Sequence, residues 1–432
     1  MAQPLTVDEN SFPNPKPRHA ALIAYKAFAD VAGKGSLFII TIVAARRLSA
    51  QAFGIFALGS TLGWMLAVAA DWGMQMHLAR AVARAPDQAG RLLATWLRVR
   101  TWTTVSSLVV AAAAVAAIGV RANTGAAILV LALVYACGGL VEFLHYFYRG
   151  LSRSDLESSL TLWHRGGTLA CGLIALAWRP TVGGLAVALL LPSIATLAIS
   201  WRIAPRLVQP PKEGYGPFSS VFRRDVAPIG AGIMLSALYF RVDLFLVQLW
   251  TGTEAVALYN AVFRLVDALR LFPAAVLAVV LPALCRARDT RPLARVSLAV
   301  TGFAVAVTAG LSLSAGWVIP LLYGAHYVDA VPAFRILLLS FPFLSLNYAL
   351  THQLVGWDGQ RAYAGLCALA LVVNLMLNAR LIPALSIEGA AWATLGTELF
   401  LTVGCLLALA KTSHDHRRVR LSASAEIFGV TR

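Results

Sequence analysis

Charge is what this 432-residue chain has least of. Only 13% of its residues are Asp, Glu, Lys or Arg, against about 25% in a soluble domain. Hydrophobic residues make up 59%, and the mean hydropathy is +0.72. A water-soluble globular protein is excluded. Cysteine is scarce too: Cys137, Cys171, Cys285, Cys367 and Cys405 are scattered through apolar runs without paired spacing. That pattern argues against a disulfide framework or a metal site. The first nineteen residues lack the basic start and apolar core of a signal peptide, and hold Asp8, Glu9 and four prolines instead. A nucleotide-binding loop is also missing. The stretch "AGKGS" (32–36) has Phe28 where the first glycine of Gly-x-x-x-x-Gly-Lys-Ser/Thr belongs, and Gly35 follows Lys34. With no motif for ATP hydrolysis and no cofactor signature, neither an enzyme nor a cofactor is expected.

What the chain has is apolar runs of about 20 residues, the length that crosses a bilayer. Twelve are predicted: 22–45, 53–72, 96–119, 126–148, 160–178, 182–204, 226–250, 256–281, 296–320, 330–353, 362–382 and 388–410. The fold class is therefore an all-α polytopic membrane protein. Residues 1–21 and 411–432 are expected to be flexible tails.

The net charge of +16 is unevenly spread. With the N-terminus placed in the cytoplasm, 24 of the 36 Lys and Arg residues fall at cytoplasmic span ends, among them Arg80, Arg100, Arg149 and Arg223, and only 5 at the other ends. This is the positive-inside asymmetry. It predicts both termini in the cytoplasm and accounts for most of the basic excess without a nucleic-acid partner. The remaining seven lie within or near the spans: Lys26, Lys34, Arg165, Arg241, Arg264, Arg270 and Arg335.

The halves of the chain look alike. Aligning "SAQAFGIFAL" (49–58) with "GTEAVALYNA" (252–261) sets Gln51 on Glu254, an offset of 203. Aligning "VGGLAVAL" (182–189) with "IEGAAWAT" (387–394) sets Gly184 on Gly389, an offset of 205. Two stretches agreeing on half the chain length predict an internal repeat. The organisation expected is a six-helix lobe over 22–204, a cytoplasmic linker over 205–225 and a second six-helix lobe over 226–410. Six spans restore the starting side, so the lobes share one orientation and any substrate site is expected between them near the midplane.

Charges inside spans are the functional signal. Lys26, Asp30 and Lys34 stand at i, i+4 and i+8, within about 80° of one helix face. Asn260, Arg264, Asp267 and Arg270 cluster within about 120° by the same geometry. Arg241 and Asp243, two apart, project nearly oppositely. A charge at the bilayer centre costs at least ~2.5–3.5 kcal/mol on insertion scales, so each such residue needs a partner or water. In one reading Lys34 pairs with Asp30 and Arg264 with Asp267, fixing helix packing. In the other, surplus cations line a hydrated cavity that accepts an anion. Candidate substrate-binding residues are Lys26, Lys34, Arg241, Arg264 and Arg270. Asp30, Asp243 and Asp267 are candidates for ion or proton coupling, or for pairing within the cavity. Elsewhere, Asp71 is expected to lock with Arg80, and Trp317, Tyr323 and Tyr327 to form an interfacial aromatic belt.

Several stretches resemble one family: "ARRLSAQAFGIFALG" from Ala44, "DWGMQMHLAR" from Asp71, "RVDLFLVQLWTGTEAVALYNAVFRLVDAL" from Arg241, "GWVIPLLYGAHYVDAVPAFRILLLS" from Gly316 and "NLMLNARLIPALSIEGAAWATLGTEL" from Asn374. In order and position they are similar to O-antigen and exopolysaccharide flippases of the multidrug/oligosaccharidyl-lipid/polysaccharide (MOP) exporter superfamily. The resemblance implies a MATE/MOP-like fold of two six-helix lobes around a V-shaped cavity in the bacterial inner membrane. It also implies transport of a polyprenyl-diphosphate-linked oligosaccharide by alternating access, in contact with membrane lipids, with a coupling ion (H+ or Na+) and polysaccharide assembly proteins as further candidate partners. Cationic residues on the first and seventh spans bind the diphosphate in relatives, and here Lys34 and Arg241 occupy comparable spans. An ion-coupled multidrug antiporter is the alternative, and a membrane glycan polymerase or ligase a third class.

Overall fold

The computed structural model describes residues 17–209, 222, 226–277, 291–357 and 359–427. The expected N-terminal tail up to residue 16, most of the expected linker and the last residues of the expected eighth span lie outside them. Every regular element described is helical: α1 (Pro17–Arg47), α2 (Ala50–Asp71), α3 (Met74–Arg84), α4 (Ala89–Ile118), α5 (Ala122–Gly150), α6 (Ser154–Trp178), α7 (Val182–Ile203), α8 (Ala227–Thr251), α9 (Thr253–Leu269), α10 (Arg291–Tyr323), α11 (Val331–Gly356) and α12 (Gln360–Ile427), with short 3-10 turns between some of them. Helix α12 is two helices broken at Ser386, whose φ of 53° is left-handed; the arms fold back on each other, with Asn374 Nδ2 3.3 Å from the Thr397 hydroxyl and Gly404 against Leu366. Its second arm runs on to Ile427, through the stretch expected to be a tail.

Among the described residues nine stretches have the length and apolarity to cross a membrane. The last, Arg361–Lys411, is 51 residues long and contains the Ser386 break, so it holds two crossings. Two more helices fall short of that composition for visible reasons. Helix α9 has only 17 residues, and α6 carries Asp155, Glu157, His164 and Arg165. Helix α3 is short and amphipathic, burying Met74, Leu78 and Val82.

The helix starts repeat. Helix α2 opens at Ala50 behind the Ser49 cap and α9 at Thr253, 203 positions on. Helix α7 opens at Val182, and the second arm of α12 follows Ser386 at residue 387, 205 positions on. The two offsets equal those of the sequence alignment.

The core is distributed unequally along the bundle. At the end where α1, α6 and α8 finish, one apolar cluster serves both lobes, joining Ile40, Phe53, Leu131 and Leu185 to Val247, Val256, Phe334 and Ile387. At the opposite, arginine-rich end there are two separate clusters, the first of them also taking in Val226 from the start of the second lobe. Met74, Trp96, Phe143 and Leu160 belong to the first, and Leu293, Leu350, Leu354 and Cys405 to the second. Helix α2 is the seam, touching α8 and α9. A Cβ on Gly54 would stand 2.1 Å from the Thr253 carbonyl oxygen, and one on Gly230 would stand 2.3 Å from that of Trp72. At both positions only glycine lets the two backbones approach so closely.

Two expectations are corrected. Asp71 pairs with Arg100 (3.7 Å) and not with Arg80. The left-handed turn at Trp72 and Gly73 starts α3 on a new axis and carries Arg80 to the surface, while α4 brings Arg100 in at 1% exposure. Asp71 also caps α3 by accepting from the Gly73 and Gln75 amides. In the expected aromatic belt only Trp317 is exposed; Tyr323 and Tyr327 are fully buried where the two lobes share their core.

Candidate functional site

In the first lobe the charged face of α1 meets α6. Lys26 Nζ lies 2.7 Å from Glu157 Oε1 and 3.4 Å from Asp30 Oδ1. Arg149, at the end of α5, reaches the same Glu157 oxygen at 2.5 Å. A carboxylate as buried as Glu157 (2% exposed) is tolerable only when paired and hydrogen-bonded, and two cations meet that need. Asp30 has Lys26 as its partner and stays half exposed. Lys34 is exposed and has no ion-pair partner among the described residues.

In the second lobe the organising carboxylate is Glu398, on the second arm of α12 and 3% exposed. Its Oε1 accepts from the Tyr239 hydroxyl (2.6 Å) and its Oε2 from Asn347 Nδ2 (2.7 Å). Arg270, in the turn that ends α9, sets Nη2 3.7 Å from Glu398 Oε1 and Nε 3.9 Å from Asp267 Oδ1. Asp243 is held differently, accepting from the Tyr259 hydroxyl and from the Leu244 amide. Arg241 turns the other way, as its spacing from Asp243 requires. Its guanidinium lies over the Phe263 ring at 4.4 Å and the Phe240 ring at 5.4 Å. It is 3% exposed, and Nη1 has no hydrogen-bond partner among the described residues. Arg264 is half buried, its Nε likewise unpartnered among the described residues.

The pairs of the packing-only reading are therefore not the ones formed. Asp30 pairs with Lys26 and not with Lys34, and Asp267 with Arg270 and not with Arg264. One turn of offset decides each case. Of the five candidate cations, Lys26 and Arg270 are held by carboxylates. Among the described residues Lys34, Arg241 and Arg264, on α1, α8 and α9, form no ion pair, although Asp267 and Asp243 are near enough to act on Arg241 electrostatically; α1 and α9 touch across the lobe boundary.

A small cavity of about 240 Å3, open mouth included, opens beside this cluster. Tyr239, Asp243, Arg270, Asn374 and Glu398 line it around the rings of Phe240 and Phe263. On the first-lobe side Trp64 of α2 meets Phe240 edge-on, with ring centres 6.5 Å apart. The cavity has room for water or an ion but not for a glycan.

A family model described as "Polysaccharide biosynthesis protein" matches residues 22–288, more than half of the chain. The chain belongs to the polysaccharide biosynthesis protein family. Solved transporters share this family member's fold. The lipid II flippase MurJ in an inward closed conformation matches with a TM-score of 0.72 at 12% identity, covering 96% of this chain and 94% of that one. A multidrug resistance MATE family transporter of the MOP superfamily, inward-facing, gives 0.68 at 16% identity, covering 90% and 95%. A MOP superfamily transporter from Pyrococcus furiosus, for which a reversed polarity of the binding pocket suggests a different function, gives 0.62 at 16% identity, covering 93% and 96%. At such identities the likeness establishes the fold. No curated protein matches the chain.

The candidate residues drawn from the sequence do not include Glu157, Tyr239 or Glu398. Glu398 had a signal, as an isolated acid in an apolar arm. Glu157 read as an ordinary residue at a helix start; only the packing of α6 on α1 shows that it is buried.

Proposed function

We propose that this family member is a flippase. It moves a polyprenyl-diphosphate-linked oligosaccharide from the cytoplasmic to the periplasmic leaflet of the bacterial inner membrane, for O-antigen or exopolysaccharide assembly, with both termini in the cytoplasm. The observation that carries this reading is the set of three cations that form no ion pair among the described residues, Lys34, Arg241 and Arg264, on helices of both lobes. A guanidinium presents a planar fork that suits phosphate oxygens, and an ammonium a compact point charge; a diphosphate satisfies both.

The unequal core supports alternating access. The lobes share fewer buried apolar residues at the arginine-rich end, where Val226 and the Gly230–Trp72 approach join them, than at the end with the common cluster. Entry from the cytoplasmic leaflet follows, with the glycan between the lobes and the polyprenyl tail in lipid. The small cavity beside Asp243 and Glu398 would take the coupling ion, H+ or Na+, and polysaccharide assembly proteins would receive the product.

The test replaces Lys34, Arg241 and Arg264 together by glutamine. Surface glycan is expected to disappear while the folded protein stays in the membrane; normal glycan export by that variant overturns the proposal. A multidrug antiporter is the second reading, favoured by the two carboxylates at the small cavity. Unchanged drug susceptibility in a deletion strain counts against it.

A further inference from the structure

The Asp71–Arg100 pair stands apart from the cation clusters, and what it holds is the turn between α2 and α3. Asp71 accepts from the Gly73 amide (3.0 Å) and the Gln75 amide (3.2 Å). Arg100 donates to the Ala67 carbonyl (3.2 Å), and the Thr103 hydroxyl to that of Ala70 (2.7 Å). Helix α4 thus satisfies a carbonyl that the end of α2 leaves open. Between these anchors Trp72 and Gly73 are both left-handed, with φ of 45° and 81°. A tryptophan keeps that conformation only where its surroundings impose it.

The turn fixed in this way faces the other lobe. A Cβ on Gly230 of α8 would overlap both the Trp72 ring and the Trp72 carbonyl oxygen. One on Gly73 would stand 3.1 Å from the Gly230 nitrogen and from Ile229 Cγ2. Beside this contact Val226, fully buried, shares an apolar cluster with Met74, the first residue of α3. Gly54 and Thr253 make the matching contact at the opposite end, where α2 and α9 begin. The lobes therefore meet backbone to backbone at both ends of α2, but on different supports. The Gly54 contact lies among the residues of the common cluster, Phe53 and Val256 included. The Gly230 contact rests on a turn held from behind by one ion pair.

We infer that the Trp72–Gly73 turn is a latch between the lobes at the arginine-rich end. Seated on Gly230 it shuts that end, and lifting from Gly230 it opens it, while the Gly54–Thr253 contact keeps the opposite end shut. Asp71 and Arg100 are positioning residues that hold the turn in shape. Gly230 is the seat, because any side chain there occupies the space the turn fills. The inference rests on the alternating-access part of the flippase reading and holds whatever the cargo is.

The test measures distances between spin labels on the purified full-length protein in lipid nanodiscs, with the five native cysteines replaced by alanine. One label pair, at Arg80→Cys and Arg295→Cys, spans the lobes at the arginine-rich end; the other, at Arg121→Cys and Arg380→Cys, spans them at the opposite end. All four positions are exposed. Without further change both pairs are expected to show a main short population, with a minor longer one at the arginine-rich end. Gly230→Val should shift the Arg80–Arg295 pair to the longer population and leave the other pair in place; Gly230→Ala, which meets the same obstruction, serves where the valine does not fold. Asp71→Asn should shift the same pair in the same direction, which a role in stability alone would not do. Gly54→Val should move only the Arg121–Arg380 pair. If Gly54→Val moves its pair while Gly230→Val, Gly230→Ala and Asp71→Asn leave the Arg80–Arg295 pair unchanged, or move both pairs together, the latch is overturned and alternating access stands. If no variant moves either pair, alternating access fails with it.

Discussion

The two lobes handle their charges by one plan with different exposure. Each buries a single glutamate that collects donors, two cations in the first lobe and one cation with two neutral groups in the second. Glu157 takes Lys26 and Arg149 in the first lobe, and Glu398 takes Arg270, Tyr239 and Asn347 in the second. Each also leaves cations over. In the first lobe Lys34 is exposed; in the second Arg241 is shut beneath two aromatic rings. On the flippase reading, the difference teaches that the first lobe offers an anion an exposed cation as it stands. The second must move Phe240 or Phe263 before Arg241 can bind one. Phe240 also touches Trp64 of the first lobe, so on that reading parting of the lobes frees one of the two rings over Arg241.

That comparison can be broken from its most heavily buried member outward. Glu398→Ala leaves Arg270, Tyr239 and Asn347 without their acceptor in a buried place, and should destabilise by about 3–5 kcal/mol, read as a large drop in melting temperature in detergent. Gly54→Val forces α2 off the Thr253 carbonyl and should cost about 1–3 kcal/mol as an overpacked contact, with loss of transport if the seam must close. Glu157→Ala strands Lys26 and Arg149, but both reach water, so about 1–2 kcal/mol is expected, nearer the cost of one charged hydrogen bond than of a buried pair. Lys26→Gln leaves Arg149 on Glu157 and should cost about 1 kcal/mol or less, with glycan export unchanged. Equal losses from Glu398→Ala and Glu157→Ala would erase the distinction between the lobes.

Much of this was legible in the sequence. Apolar runs marked all nine stretches that, among the described residues, are long and apolar enough to cross, because a bilayer leaves the chain few alternatives. The repeat offsets of 203 and 205 return as helix starts, since the same turn chemistry opens both halves. The surplus of intramembrane cations was also legible. What could not be read was which carboxylate each cation finds. Lys34 and Lys26 are both four residues from Asp30, and only the position of Glu157 on a neighbouring helix draws Lys26, and with it Asp30, toward that end. Arg100 counted as a cytoplasmic charge, yet it sits eleven residues inside α4 because Asp71 awaits it there. Pairing is a property of helix packing, and the spacing along one strip of sequence does not contain it.

The most direct test asks whether Lys34 faces water at mid-membrane depth and whether a diphosphate covers it. Cysteine is placed at position 34 in a protein whose five native cysteines are replaced by alanine, and labelled in intact vesicles with a membrane-impermeant charged thiol reagent. The account predicts rapid labelling from the cytoplasmic side, slowed by undecaprenyl diphosphate. A position 34 that stays unlabelled in folded protein, or labels equally fast with and without the lipid diphosphate, contradicts it.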